Sequence, residues 1–247
     1  MSFCKTVRSI FKPAAPKPIP NREQSPSPPP PIETIDEVFI PNFPKIDKAN
    51  YPLASRSSVD PDMGGTLTPK LVVWHHTVSY DTPGTENWFR TTAADIHLLV
   101  GKKGEVVQMV PFNRIAHHAG TSSWKGLQSL NNHAIGIEFV NLGPLKKVGE
   151  GYQDYYGRAY NGEVRKRKAQ GFDYWEPFTE AQEQRFLEIG LYLYKAYGLT
   201  ADKHIGHYEC SPGRKNDPAG GFSWGDMNAA REKLREYIEA AKRRGLA

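Results

Sequence analysis

Cysteine is almost absent: two residues in 247, Cys4 and Cys210. A disulfide framework is therefore excluded, and nothing in the sequence requires the two to pair. Long apolar runs are missing as well. No stretch approaches the roughly 20 residues that span a bilayer. The N-terminus, MSFCKTVRSIFKPAAPKP, has no apolar segment of the roughly 7–15 residues a signal peptide needs. Synthesis in the cytoplasm without a secretion signal is the expectation. No zinc-finger, basic-zipper or RNP motif occurs, so no nucleic-acid partner is expected, and no internal repeat is visible. Histidine, too, is confined: all eight lie between His75 and His207.

What is present is the composition of a globular domain, 38% hydrophobic and 11% aromatic. The net charge of +5 inclines the chain toward polyanions such as anionic lipid or a bacterial envelope, although many proteins with this charge bind none. Residues 1–35 are predicted to be a disordered tail, because AAPKPIP and SPSPPPPIE resist both helix and sheet. Its tip alternates Phe3, Val7, Ile10 and Phe11 with Lys5, Arg8 and Lys12, a pattern compatible with weak contact to a membrane surface. Residues 36–69, interrupted by Pro41, Pro44 and Pro52, read as an irregular arm leaning on the domain that occupies 70–247.

Within that domain, LVVWHH reads as a buried strand and Glu86 to Ala94 as a short helix. IHLLVGKKGEVVQMV reads as a hairpin turning at Gly-Lys-Lys-Gly. AIGIEFV is a strand with Ile135, Ile137 and Phe139 on one face and Gly136 and Glu138 on the other. Thr179 and Gln182 form a capping box ahead of a helix burying Phe186, Ile189, Gly190, Leu193, Tyr194 and Tyr197 up to Gly198. KHIGH is a last short strand, and Asp226 caps a final helix with Met227, Ala230, Leu234, Tyr237, Ile238 and Ala241 buried. The predicted class is α/β (α+β): a central mixed β-sheet flanked by helices. Residues 142–177, tyrosine-rich and carrying RKRK from Arg165, are too long for an ordinary connection. They read as an insertion, either a hairpin walling a groove or a solvated excursion.

The chemistry gathers around KHIGHYECSPGRKNDPAGG, where His207 and Asp217 flank a loop bent by Pro212, Gly213 and Pro218. Any one histidine alone reads as a hydrogen-bonded core or surface residue. With His75 from the end of LVVWHH, three ligands suited to zinc emerge, leaving a tetrahedral ion one open position, the hydrolytic arrangement. Glu138 is the carboxylate best placed as general base, its other reading being a sheet residue facing solvent. Lys215, two residues before Asp217, is placed to stabilise an oxyanion. Cys210, in His207-x-x-Cys210, is a rival ligand to Asp217.

LVVWHHT, the hairpin with IHLLV, HHAG at 117–120, NNHAIGIE at 131–138 and GHYECSPGRKNDP at 206–218 together resemble the zinc-dependent N-acetylmuramoyl-L-alanine amidases. That superfamily includes phage endolysins, the anhydro-muropeptide recycling amidase and peptidoglycan recognition proteins. The resemblance covers about Lys70 to Asp217 with its flanking helices. It implies His75, His207 and Asp217 as zinc ligands, Glu138 as the glutamate of IGIE and Lys215 as the lysine of GRKxD. It implies substrate contacts from His118 (the histidine of the family's WHAG, with His117 where tryptophan is usual), His97 and Asn131, with Arg214 beside them. The expected protein is a monomer that cleaves the bond between the muramic acid lactyl group and L-alanine of peptidoglycan or muropeptides, of the phage endolysin type, acting on the cell wall after release. The alternatives are a non-catalytic peptidoglycan-binding module, disfavoured because all three ligand positions are filled, and a cytoplasmic recycling amidase.

Overall fold

The computed structural model describes residues 38–57 and 64–247. The expected tail, 1–35, with its basic tip, lies outside them. Among the described residues the chain runs through β1 (Arg56–Ser57), β2 (Leu71–His76), α1 (Thr82–Arg90), β3 (Leu98–Val100) and β4 (Val106–Gln108). A small hairpin, β5 (Ser123–Trp124) and β6 (Leu127–Gln128), precedes β7 (Ala134–Phe139). Then come β8 (Pro144–Val148), β9 (Gly151–Gln153), β10 (Ala159–Tyr160), β11 (Arg165–Ala169) and β12 (Phe172–Trp175). The chain closes with α2 (Glu180–Tyr197), β13 (His204–Gly206), α3 (His207–Cys210) and α4 (Met227–Arg243).

The main sheet has the order β1-β4-β3-β7-β2-β13, mixed because β4 runs antiparallel to β3 while β7, β2 and β13 are parallel neighbours. The two-residue side-chain period sorts β2 and β7 onto two faces. Val72 and Trp74, with Ile135, Ile137 and Phe139, pack into one core with Phe186 and Leu193 of α2 and Leu234 and Tyr237 of α4. Val73 and Ala134 point the other way with Ile205 and Cys210, and that second face continues into the site. The two helices approach closely at Gly190, where a Cβ would stand 2.5 Å from Leu234 Cδ1. Among the described residues no helix is long and apolar enough to cross a membrane.

Three elements differ from the sequence reading. The first helix spans Thr82–Arg90 rather than 86–94, because Asp81 accepts from Gly84 N at 2.7 Å as N-cap and Pro83 sits in the first turn. Helix α2 keeps its expected capping box and face, yet Leu187, Leu191 and Tyr192 are buried too. The arm covers that further side: Val38, Ile40, Phe43 and Tyr51 join the same core, and Tyr192 packs edge-on against Phe43 and Tyr51 with ring centroids 5.0 and 5.4 Å away. Finally, residues 142–177 fold as a five-stranded antiparallel sheet, β10-β9-β8-β12-β11. Its base is pinned by Glu176, which accepts from Leu142 N at 2.6 Å and Lys102 Nζ at 2.7 Å. Of RKRK, Arg165 and Arg167 donate to the carbonyls of Gly221 and Phe222, while Lys166 and Lys168 stay exposed.

Candidate metal centre and reaction cavity

β2 ends in His75, and β7 places Glu138 directly opposite it in the parallel ladder. His207 opens α3 immediately after the edge strand β13, and Asp217 returns from the loop that follows. Three atoms converge. His75 Nδ1 lies 2.9 Å from His207 Nδ1, and the two lie 3.1 and 3.0 Å from Asp217 Oδ2. All three residues are buried. Among the described residues this is the group of His, Cys, Asp or Glu side chains that can hold a metal ion. Ligand atoms around a tetrahedral ion at ~2.0–2.2 Å stand about 3.3–3.6 Å apart, so the triangle needs to open by only a few tenths of an ångström.

The outer nitrogens decide which lone pairs face inward. His118 Nε2 is 3.3 Å from Ala134 O and carries the hydrogen, so His118 Nδ1 accepts from His75 Nε2–H at 3.0 Å. His75 Nδ1 is left with a lone pair toward the cluster. His207 Nε2 donates to Ala119 O at 3.1 Å, which does the same for His207 Nδ1. Two lone pairs and a carboxylate oxygen thus point at one place, an arrangement that a divalent cation stabilises. Protonation states agree. Burial would raise Asp217, but the adjoining His207 and His75 imidazoles outweigh it and hold its carboxyl well below the usual carboxylate range. Burial first, then the neighbouring His207, push His75 down to about 4. For His75 and Asp217 the deprotonated forms that metal binding requires are therefore the resting ones.

The rival ligand is not part of this cluster. Cys210 donates its thiol to His207 O at 3.4 Å, sits in the apolar cluster on the site's face of the sheet, and is pushed up to about 11 by burial. Glu138 is different: its Oε2 is inaccessible and has no hydrogen-bond partner among the described residues. Burial, then the Asp217 charge, raise its pKa well above the ordinary 4.5, with Lys215 opposing. A cavity of about 710 Å³ is lined by the three cluster residues together with Glu138, His118, Arg214 and Lys215. Lys215 is exposed there and forms no ion pair among the described residues.

Two of the residues expected at substrate are turned inward instead. His97 is fully buried; its Nδ1 accepts from Gly136 N at 2.9 Å and its Nε2 donates to Arg114 O at 2.9 Å. Asn131 spends its Oδ1 on His118 N and Ala119 N, at 3.1 and 2.8 Å. Neither lines the cavity; Asn131 braces the HHAG segment, and His97 packs edge-on against His118 with ring centroids 5.9 Å apart. Arg214 lines it but is also a strut, its Nη2 donating to Ala119 O at 2.7 Å, Thr121 O at 2.9 Å and Ser211 Oγ at 2.7 Å. The sequence reading missed Gly136, where a Cβ would fall 2.4 Å from His118 Cγ; its place beside Glu138 in IGIE was the available signal. It missed Asp95 too, which accepts from His117 Nδ1 at 3.1 Å and has no local motif.

The profile of the Amidase_2 family, N-acetylmuramoyl-L-alanine amidase, matches residues 65–220. The chain belongs to this amidase family. Among individual proteins it is 30% identical over 128 residues to the 1,6-anhydro-N-acetylmuramyl-L-alanine amidase AmpD of Salmonella typhimurium, covering 52% of each chain. It is 30% identical over 122 residues to the N-acetylmuramoyl-L-alanine amidase AmiD of Escherichia coli, covering 49% of this chain and 36% of that one. The chain thus spans about half the length of the AmpD relatives it matches, and less of AmiD. The solved complex of AmiD from E. coli with anhydro-N-acetylmuramic acid-L-Ala-D-gamma-Glu-L-Lys superposes with a TM-score of 0.51 at 26% identity, over 68% of this chain and 59% of that one. A crystal structure of AmpD gives 0.52 at 23% identity over 77% and 98%, a likeness of fold. The amidase family's mixed sheet and helices are those found here.

Proposed function

We propose that this member of the amidase family is a zinc-dependent N-acetylmuramoyl-L-alanine amidase that hydrolyses the amide between the muramic acid lactyl group and L-alanine. The observation that carries the reading is the triangle of His75, His207 and Asp217 beside the unpartnered Oε2 of Glu138 in one cavity. His75 and His207, through Nδ1, and Asp217, through Oδ2, would hold the ion. Bound there, zinc supplies Lewis-acid activation of water and of the scissile carbonyl. Glu138 Oε2 takes the proton from the attacking water as the C–O bond forms. The Lys215 ammonium neutralises the charge that develops on the former carbonyl oxygen. Glu138 then returns its proton to the L-alanine nitrogen as the C–N bond breaks, so acid and free amine leave and the carboxylate is restored.

His118 and Arg214 act on the ligands, the first by accepting from His75 Nε2–H and the second by tying the 211–217 loop to the HHAG segment. We place the activity at the cell wall, as a monomeric lysin of the phage endolysin type. The support is the proline-dense, basic leader at 1–35 and a walled cavity built partly from the insertion. The names of the AmpD relatives favour a second reading, an enzyme confined to released anhydro-muropeptides. Intact sacculi and soluble anhydro-muropeptide, offered in parallel, separate the two: a lysin releases peptides from sacculi, a recycling amidase from the soluble substrate alone. The metal assignment is tested by metal analysis. About one zinc per chain is expected in wild type and in Cys210→Ala, and little in His207→Ala. Full retention in His207→Ala, or loss in Cys210→Ala, contradicts the ligand set.

A further inference from the structure

Among the described residues, eight large apolar or aromatic side chains are exposed, and three of them, Trp88, Tyr155 and Tyr156, line the reaction cavity. Their exposures are 52%, 76% and 61%, so they contribute little to the core. Exposed aromatics gathered at one cavity mark a surface that something covers. Trp88 stands on α1, while the two tyrosines occupy the tip between β9 and β10 of the insertion.

That tip is held rigid. The buried carboxylate of Asp154 accepts from Tyr156 N, Arg158 N and Arg158 Nε, each at 2.9 Å, and from Tyr80 OH. The Arg158 guanidinium lies over both Tyr80 and Tyr156, 4.3 and 4.6 Å from the ring centroids. Tyr155 meets Tyr156 edge-on at 5.3 Å. Exposed rings braced in this way lose little freedom on binding, which is what a preorganised recognition surface needs.

Charge sets the kind of ligand. Arg158 is neutralised by Asp154, so the aromatic wall offers ring faces and phenolic hydroxyls without a free cation. The exposed cations of the cavity, Arg214 and Lys215, come from the loop after β13. In the sheet order β13 lies on one side of β2, and β7, which feeds the insertion, lies on the other. A muramoyl-peptide has the same polarity: neutral N-acetylated sugar rings with apolar C–H faces on the acyl side, a carboxylate-bearing peptide on the amine side.

We propose that Trp88, Tyr155 and Tyr156 form a saccharide platform that holds sugar units of the glycan strand flanking the muramoyl residue being cleaved. The inference rests on the amidase reading for the identity of the strand. C–H faces of the sugars stack on the electron-rich ring faces, and phenolic and indole groups at the ring edges supply hydrogen bonds. The platform makes this enzyme a reader of polymeric wall.

The test is calorimetric titration of the full, metal-replete chain with a peptide-free tetrasaccharide of alternating N-acetylglucosamine and N-acetylmuramic acid. Wild type is expected to bind. Trp88→Ala and Tyr155→Ala each weaken binding, and the double variant weakens it at least about tenfold. Phe39→Ala, an equally exposed ring away from the cavity, leaves it unchanged. Melting temperatures confirm that each variant folds. In a parallel hydrolysis assay, wild type prefers muramoyl-peptide carrying the attached sugars over muramoyl-peptide without them, and the preference collapses toward one in the double variant. No tetrasaccharide binding by wild type, wild-type affinity in the double variant, or a retained preference each overturns the platform. If no muramoyl-L-alanine substrate of any length is cleaved, the amidase reading fails instead, and the titration still decides whether the cavity takes saccharide.

Discussion

His75 and Glu138 face each other across two parallel strands, so a single register brings the proposed metal ligand and the proposed acid–base carboxylate to one face. Glu138→Gln keeps the shape and removes the proton acceptor. Turnover is expected to fall by roughly 10²- to 10⁴-fold at unchanged zinc content; a loss below about threefold means another group takes the proton. Because burial and the Asp217 charge raise the Glu138 pKa, its working carboxylate form disappears on acidification at a pH above the ordinary carboxylate value. The acid limb of kcat/KM should therefore fall above pH ~4.5 and be absent from the residual activity of Glu138→Gln. Gly136→Ala tests the brace behind His75. The added Cβ displaces the His118 ring, and zinc affinity, read by chelator competition, is expected to drop about 10- to 100-fold. The convergence of His75, His207 and Asp217 was legible because each sits in a motif of the resembled family, in the family's order along the chain. The inward turn of His97 and Asn131 was not, because their direction is set by partners 39 and 13 residues away, at Gly136 and His118.

At the scale of elements, caps and periodicity were readable and coverage was not. The capping box of Thr179 and Gln182 and the stop at Gly198 appear as expected. The burial of Tyr192 does not follow from one apolar stripe, since it comes from the proline-broken arm. Its hydroxyl accepts from Asp47 N at 3.0 Å and donates to Asp47 O at 2.6 Å. Tyr192→Phe removes these links while keeping the ring, and a loss of about 1–2 kcal/mol in urea unfolding is expected, together with faster proteolysis within 38–57. Unchanged stability and cleavage mean that the arm is held by its apolar contacts alone. The insertion hid its sheet because its strands, of two to five residues, are too short to establish a period, and glycine turns at 149, 157 and 171 separate them.

For the molecule as a whole, burial of neutral histidines links stability to pH. Burial pushes His97 to about 4 and His204 to about 3, below the unfolded value of ~6.5. As pH falls beneath that value the unfolded chain takes up protons first, so stability is full above it and is lost progressively toward the folded values. His97 alone accounts for about 3 kcal/mol at pH 4. Urea midpoints measured with chelator present, so that metal loss does not intrude, should decline from pH 7 to 4; a flat profile contradicts buried neutral imidazoles. Residues 1–35 carry none of the histidines, and a chain starting at Ile35 is expected to cleave soluble muropeptide at the wild-type rate while lysing envelope-enclosed cells less well. The central claim is the bond that is cut, and mass spectrometry of products from purified peptidoglycan reads it directly. The expected products are stem peptides beginning with a free L-alanine amine and glycan whose muramic acid keeps its lactyl carboxylate, formed only with zinc and far more slowly by Glu138→Gln. Products cleaved at a glycosidic bond or within the peptide, or unaltered peptidoglycan with zinc bound, would contradict the account.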